Sequence, residues 1–383
     1  MLKTQMSNNY ILYGSYASYY TAKSRAYLRK KGIGFVERLP SDPLFRSKVR
    51  PSSGSHRIPQ LLTPEGEVIQ DSVEMLDYLE ARFPERPAFP STAQQRTFVH
   101  LMELLGSEGL VQLAWLHRWM FEANQDFVKM DFGRSFKPQG DDDELLKYGS
   151  LIADRMMSYG LPESTPESRA ALDETYLGLL HCFEQHLTRF PYFLGGHPSA
   201  ADYAVMGAMH AHLGRDPAGL RLMQNNAPRT FRWVEHMMVP EVQSPEFFDA
   251  PVEYLTADQV PDTALQILRY IAEEFGEQFV LGAKAFNQAM QRIGAGSGYE
   301  LAPDQDQPKL PAEELLHNGK AVTHSTNLYA EWLGQRARCY FQAQSDDQQL
   351  AIETLFDSVQ LSALLHEPVR YKLTRVNNRL VID

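Results

Sequence analysis

Ile58-Pro59-Gln60-Leu61-Leu62-Thr63-Pro64-Glu65-Gly66-Glu67-Val68-Ile69-Gln70-Asp71-Ser72 is the stretch on which the fold turns. Two short runs, Gln60 to Thr63 and Glu67 to Gln70, flank the turn Pro64-Glu65-Gly66, a pattern that predicts a β-hairpin. Directly after it Val73, Leu76, Leu79 and Phe83 recur every three or four residues, the period of one buried helix face, and Ser72 is placed to cap that helix. Upstream, Tyr10 to Gly14 reads as a strand and Thr21 to Lys31 as a helix stopped by Gly32. Phe35 to Leu39 supplies a second strand, and Pro51 to Gly54 is turn-rich and expected to be mobile. The resulting order is β-α-β-β-β-α.

Downstream, Pro84 to Pro90 carries three prolines in seven residues, which predicts an extended linker. Helices follow. Ser91 or Thr92 can cap one running through Leu101, Leu104 and Leu105, and Glu144 to Met157 forms another behind the acidic run Asp141, Asp142 and Asp143. Thr165-Pro166 opens a long helix to about Thr188, with Cys182 expected in its packed face. Ser199-Ala200-Ala201-Asp202 has the reciprocal logic of a capping box ahead of the apolar run Tyr203 to Met209, which should be buried on all sides. Ala227 or Pro228 to Met238 is a further helix. Beyond it come helical signal over Pro261 to Met290, a loop over Gly294 to Pro311, and a terminal hairpin over Val369 to Ile382 around Asn377-Asn378.

The 383 residues, 43% hydrophobic, can bury the cores of two or three domains. A formal charge of -11 argues against a nucleic-acid or anionic-membrane partner, since either asks for a basic face. Met1 to Asn9 is polar, and no run of about eighteen apolar residues could span a bilayer. A cytoplasmic location is therefore expected. The two cysteines, Cys182 and Cys339, are too few for a disulfide framework and have no partners at metal-ligand spacing, so no metal is expected.

Taken in order, the β-α-β-β-β-α module, Ile58-Pro59, Asp71-Ser72, the proline linker and the Ser199 to Asp202 box resemble the cytosolic glutathione transferase family over roughly residues 10 to 250. The resemblance implies an α/β plus all-α protein. A thioredoxin-like glutathione-binding domain would span 1-86 and an all-helical domain 91-250, followed by a mostly helical extension over 251-383 that ends in the β-hairpin and packs on the helical domain.

It also implies a site with glutathione as co-substrate. In the family the proline matched by Pro59 is cis, and the backbone matched by Ile58 pairs with the cysteinyl part of glutathione. Asp71 and Ser72 match the pair that grips the γ-glutamyl end, with Gln70 as a competing polar contact. The family's serine position falls on Ser18, whose hydroxyl would stabilise the glutathione thiolate near helix-terminal amides. Ser15, Tyr13, Tyr16, Tyr19 and Tyr20 are alternatives for that task. Arg57, with Lys48, Arg50 and His56, is a candidate partner of the glycyl carboxylate. Trp115 and Trp119, in an aromatic run to Phe121, would line a substrate pocket or else serve the core or a dimer interface. Serine in place of cysteine implies addition of glutathione to a small apolar electrophile, a detoxifying reaction, rather than thiol exchange, in a homodimer. Two other readings use the same residues: a non-catalytic binding or regulatory protein that keeps the fold, and a glutathione-dependent isomerase or lyase.

Overall fold

The computed structural model describes residues 9–301, 309–359 and 361–383. The polar start, save Asn9, and the middle of the loop expected over Gly294 to Pro311 lie outside the described residues.

The first module contains β1 (Tyr10–Tyr13), α1 (Tyr19–Lys31), β2 (Phe35–Arg38), α2 (Arg50–Ser53), β3 (Gln60–Leu62), β4 (Val68–Gln70) and α3 (Ser72–Arg82). The sheet order is β2-β1-β3-β4, with β1 parallel to β2 and the other pairs antiparallel. This is the thioredoxin-like arrangement that the element order predicted. Gly32 stops α1 in a left-handed conformation, φ 71°, that lets its amide reach back to Leu28 and Arg29. Pro51 to Gly54 is a helical turn rather than loose chain. The cap of α3 also differs from expectation. Asp71, at φ 86°, turns its carboxylate onto the amides of Val73 and Glu74 at 2.8 and 3.4 Å. Ser72 is thereby left as the first helical residue.

Next come α4 (Ala93–Leu104), α5 (Leu110–Met120), α6 (Gln125–Phe136), α7 (Asp142–Met157), α8 (Pro166–His186), α9 (Ala200–Ala204), α10 (Pro217–Asn226) and α11 (Pro228–Met237). Asp141 caps α7 through the Glu144 amide, and Thr165 caps α8 in a box with Ser168. The run from Tyr203 to Met209 is buried throughout, as its composition predicted. Neither α6 nor α10 was legible in the sequence, because each buries few apolar side chains: Val128 in α6 and Met223 in α10. Cys182 is half-buried rather than packed in the core.

The pair α6 and α7 can approach closely only because two glycines face carbonyls across the gap. A Cβ on Gly149 would stand 1.9 Å from the Lys129 oxygen, and one on Gly133 2.1 Å from the Leu145 oxygen. Backbone cannot yield as a side-chain tip can. Gly149→Ala is therefore expected to destabilise the protein by about 1–3 kcal/mol, through forced separation of the two helices, measurable as a lower urea midpoint at unchanged slope.

The remainder forms α12 (Asp262–Phe275), α13 (Glu277–Ile293), β5 (Glu313–His317), β6 (Lys320–His324), α14 (Leu328–Gln342), α15 (Asp346–Asp357), α16 (Ser362–His366), β7 (Leu373–Val376) and β8 (Arg379–Ile382). The helical signal from Pro261 to Met290 is two helices, separated at Gly276. The terminal hairpin forms as predicted, with Asn377 and Asn378 both at positive φ. A second hairpin, β5 with β6, turns on Asn318-Gly319, the same chemistry.

The chain divides into two compact units, one of residues up to 88 with 111–253, the other of 89–110 with 254–383. Helix α4 thus belongs with the extension and packs against α14 and α15. Thr92 occupies its N-cap position, as expected, but makes no side-chain capping bond; the N-terminal amides of Gln94 and Gln95 are met instead by the Asp258 carboxylate, at 2.8 and 2.9 Å. A carboxylate held in place by another segment satisfies two orphan donors at once, which a single serine hydroxyl does not.

Candidate functional site

The sheet register assembles the candidate residues. Tyr13 of β1 lies opposite Gln60 of β3, and Gln60 lies opposite Gln70 of β4. Neighbouring strands are about 4.8 Å apart. The loop from Gly14 to Ser18, which follows Tyr13, the dipeptide Ile58-Pro59, which precedes Gln60, and Asp71-Ser72, which follows Gln70, therefore all leave the same end of the sheet. Three segments separated by some forty and ten residues in sequence meet there.

Each segment presents polar groups that the protein itself does not use. The Ile58–Pro59 bond is cis, as the resemblance implied. Gln60 fixes the preceding loop by donating to the carbonyls of Ser55 and Arg57 at 2.8 and 2.7 Å. The amide and carbonyl of Ile58 enter no hydrogen bond among the described residues. The Ser72 Oγ is buried and has no partner, an arrangement that costs free energy unless a ligand supplies the missing bond. Asp71, by contrast, is committed to capping α3. Arg57 and His56 are exposed beside the loop.

Ser18 is the N-cap of α1. Its hydroxyl accepts from the Thr21 amide at 3.3 Å, so its own proton remains to be donated. The first turn of α1 contains no acidic side chain, leaving the positive end of the helix uncompensated. A thiolate brought here would meet one hydroxyl donor and the helix-terminal amides. The alternatives are less well placed. Ser15 is buried and bonded to the Ser135 hydroxyl at 2.6 Å while accepting from the Ala17 amide. Tyr13 is fully buried against Phe45, and burial pushes its phenol up to about 12. Tyr19 is buried with its ring edge-on to His212, and Tyr20 packs on Tyr19. Tyr16 is 44% exposed at the tip of the turn closed by the Ser18 amide on the Ser15 carbonyl.

Three residues that the sequence did not single out hold this loop. Arg118 donates to the carbonyl of Ala17, the residue before Ser18, at 2.8 Å, and to that of Ala211 at 2.6 Å. It pairs with Asp216 through two bonds of 2.7 and 2.9 Å, both residues being almost fully buried. Ser135 holds Ser15. These partners lie about a hundred residues away with no local motif, so only the tertiary structure reveals them. Of the two tryptophans, Trp119 is buried in a cluster with Val128 and Ala153 and stacks on Phe132, whereas Trp115 is half-buried at the edge of that cluster. Among the described residues no helix is long and apolar enough to cross a membrane, and no three His, Cys, Asp or Glu side chains are grouped as a metal site needs.

Residues 12–87 match the family model described as glutathione S-transferase, N-terminal domain. No curated protein matches the chain. Among solved structures, a glutathione S-transferase from Methylobacterium radiotolerans in complex with glutathione sulfonate is 19% identical, covering 66% of this chain and 100% of its own at a TM-score of 0.36. The β-etherase LigF from Sphingobium sp. strain SYK-6 is 19% identical, covering 60% of this chain and 94% of its own at a TM-score of 0.41. A glutathione S-transferase from Methylobacillus flagellatus with glutathione bound is 19% identical, covering 60% and 100% at a TM-score of 0.35. Residues 12–87, by their sheet order, cis Pro59 and matching family model, form a glutathione S-transferase N-terminal domain.

Proposed function

We propose that the protein is an enzyme that binds glutathione at the end of its mixed sheet, stabilises the thiolate with Ser18 and directs it at a small electrophile. The observation that carries this reading is the register of Tyr13, Gln60 and Gln70, which brings a capping hydroxyl whose proton is free to be donated, an unpaired backbone segment and an orphaned buried serine to one place. The free Ile58 backbone suits the peptide part of the tripeptide, and Ser72 Oγ suits its γ-glutamyl end. Ser18 keeps the sulfur anionic by donating to it, a contact that strengthens as negative charge gathers there. No covalent bond to the enzyme is needed. Serine at this position favours conjugation over thiol exchange, and the half-buried edge of Trp115 is the aromatic surface available to an apolar acceptor.

Calorimetry with glutathione tests the binding half of the proposal, and millimolar glutathione without heat of binding would sink it. For the catalytic half, Ser18→Ala is expected to lower kcat with a standard electrophile by about a hundredfold, the scale of one lost donor at a developing anion. Ultraviolet titration of bound glutathione should show the thiol pKa rising in the same variant. Full activity in the alanine variant would move the role to a neighbouring tyrosine.

A further inference from the structure

Around Tyr16 the structure gathers positive charge that the thiol-activating scheme leaves unused. The Arg25 guanidinium lies 4.0 Å from the ring centroid and that of Arg215 5.5 Å from it. Arg29 donates from Nη2 to the phenol oxygen at 3.4 Å, and the His210 ring lies 6.4 Å away. Two carboxylates face this group: Glu37, bound by Arg25 through two bonds of 2.7 and 2.5 Å, and Asp131, paired with Arg215 at 2.8 Å. Three arginines against two carboxylates leave one positive charge in a chain whose formal charge is -11. Burial, then Arg25, Arg215 and Arg29 in turn, holds the His210 imidazole down at about 3, so all three arginines bear on one point.

Arg25 Nη1 and His210 Nδ1 are buried without partners. Tyr16 is the exposed part of the group. Its oxygen accepts from Arg29, so its own O–H is directed elsewhere and polarised as a donor. Tyr16 sits in the four-residue turn that ends at Ser18, with the turn ends within about 7 Å. An aromatic acceptor with its reacting carbon at a Ser18-bound thiolate would bring a substituent on the opposite side of the ring to this corner.

We propose that the electrophile is an anion, a planar molecule bearing a carboxylate that is received by the Tyr16 hydroxyl between Arg29 and Arg215. This rests on the glutathione reading above and replaces the apolar acceptor named there with an acidic aromatic one. The carboxylate replaces the missing negative charge of the corner, and the ring lies along the phenol. Glutathione's own glycyl carboxylate has the same chemistry, so the two sources must be separated.

Chlorodinitrobenzene and its acidic analogue chlorodinitrobenzoate form the test pair. In the wild type, kcat/KM for the benzoate should exceed that for the neutral compound by about tenfold, the worth of one charge-assisted hydrogen bond, and the preference should shrink as salt is added. Arg215→Gln and, separately, Arg29→Gln should each bring the ratio of the two kcat/KM values close to one. A ratio near one in the wild type, or one that survives both substitutions, overturns the proposal. Calorimetric glutathione affinity is the second arm: a loss in the variants that matches their loss on the benzoate would give the arginines to glutathione and also overturn it. Nitrobenzoate binding to the protein alone is the third. Saturable binding that either substitution weakens supports the acidic corner even if the wild type binds no glutathione, an outcome that would remove only the conjugation reading. Absence of nitrobenzoate binding overturns the corner itself.

Discussion

Arg118→Met is expected to lower stability by about 3–5 kcal/mol, the cost of leaving one member of a buried ion pair alone. Asp216 is 1% exposed and accepts two bonds from this guanidinium, so the substitution strands a carboxylate where water does not reach it. The carbonyls of Ala17 and Ala211 lose donors in the same step. Chemical denaturation of the variant measures the loss. A shift below about 1 kcal/mol would mean that Asp216 is neutralised or rescued by relaxation. Replacing the pair together, Arg118→Met with Asp216→Leu, should recover much of the stability, because no unpaired charge remains. It should not recover turnover. Ala17 would still lack its tie, and Ser18 would be held only by its own capping bond, so kcat with a standard electrophile should stay depressed while glutathione affinity changes less. Full recovery of kcat in the double variant would show that Arg118 does not position the Ser18 loop.

Asp202→Ala is expected to cost about 3 kcal/mol or more, since three donors become orphans together. The carboxylate of this fully buried residue accepts from the Phe193 amide at 3.0 Å, the Ser199 amide at 2.8 Å and the Ser199 hydroxyl at 2.9 Å. The short helix α9 and the loop leading to it depend on those bonds. The cost should also vary with pH in a determined direction. Burial, outweighing the amides of Ser199 and Phe193, raises the Asp202 carboxyl to about 6. Between the unfolded carboxylate value of about 4 and that figure the folded state holds more protons than the unfolded state, so this residue's contribution to stability falls as pH rises. The penalty of Asp202→Ala should therefore be largest near the acid end of the window and shrink toward neutral pH. Denaturant midpoints of both proteins across that window supply the comparison. A penalty that grows with pH would show that hydrogen bonding to the carboxylate outweighs its burial.

Much of the scaffold is legible in the sequence. The hairpin around Pro64-Glu65-Gly66, the stop at Gly32, the starts at Asp141 and Thr165, the buried run after Asp202 and the terminal hairpin are local devices. Each is written in a few adjacent residues whose backbone chemistry allows little else. Local signals give way where a distant partner intervenes. The amides at the start of α4 are met by Asp258, more than 160 residues downstream, so Thr92 holds the N-cap position without making the capping bond. At α3 the miss was by one residue, because Asp71 adopts a positive φ that few non-glycine residues take. The two weakly apolar helices α6 and α10 escaped for lack of a stripe to count.

By itself, then, the sequence determined the order of elements in the first module, the place of Ile58-Pro59 and the candidate serines, since these depend on neighbours along the chain. Only the tertiary structure decided where they stand relative to one another. Strand register carried Ser18, Ile58 and Ser72 to one end of the sheet. Packing stranded the Ser72 hydroxyl, tied the Ser18 loop to Arg118, and drew three arginines around Tyr16. Pairing and desolvation act between residues a hundred positions apart, and no local pattern encodes them.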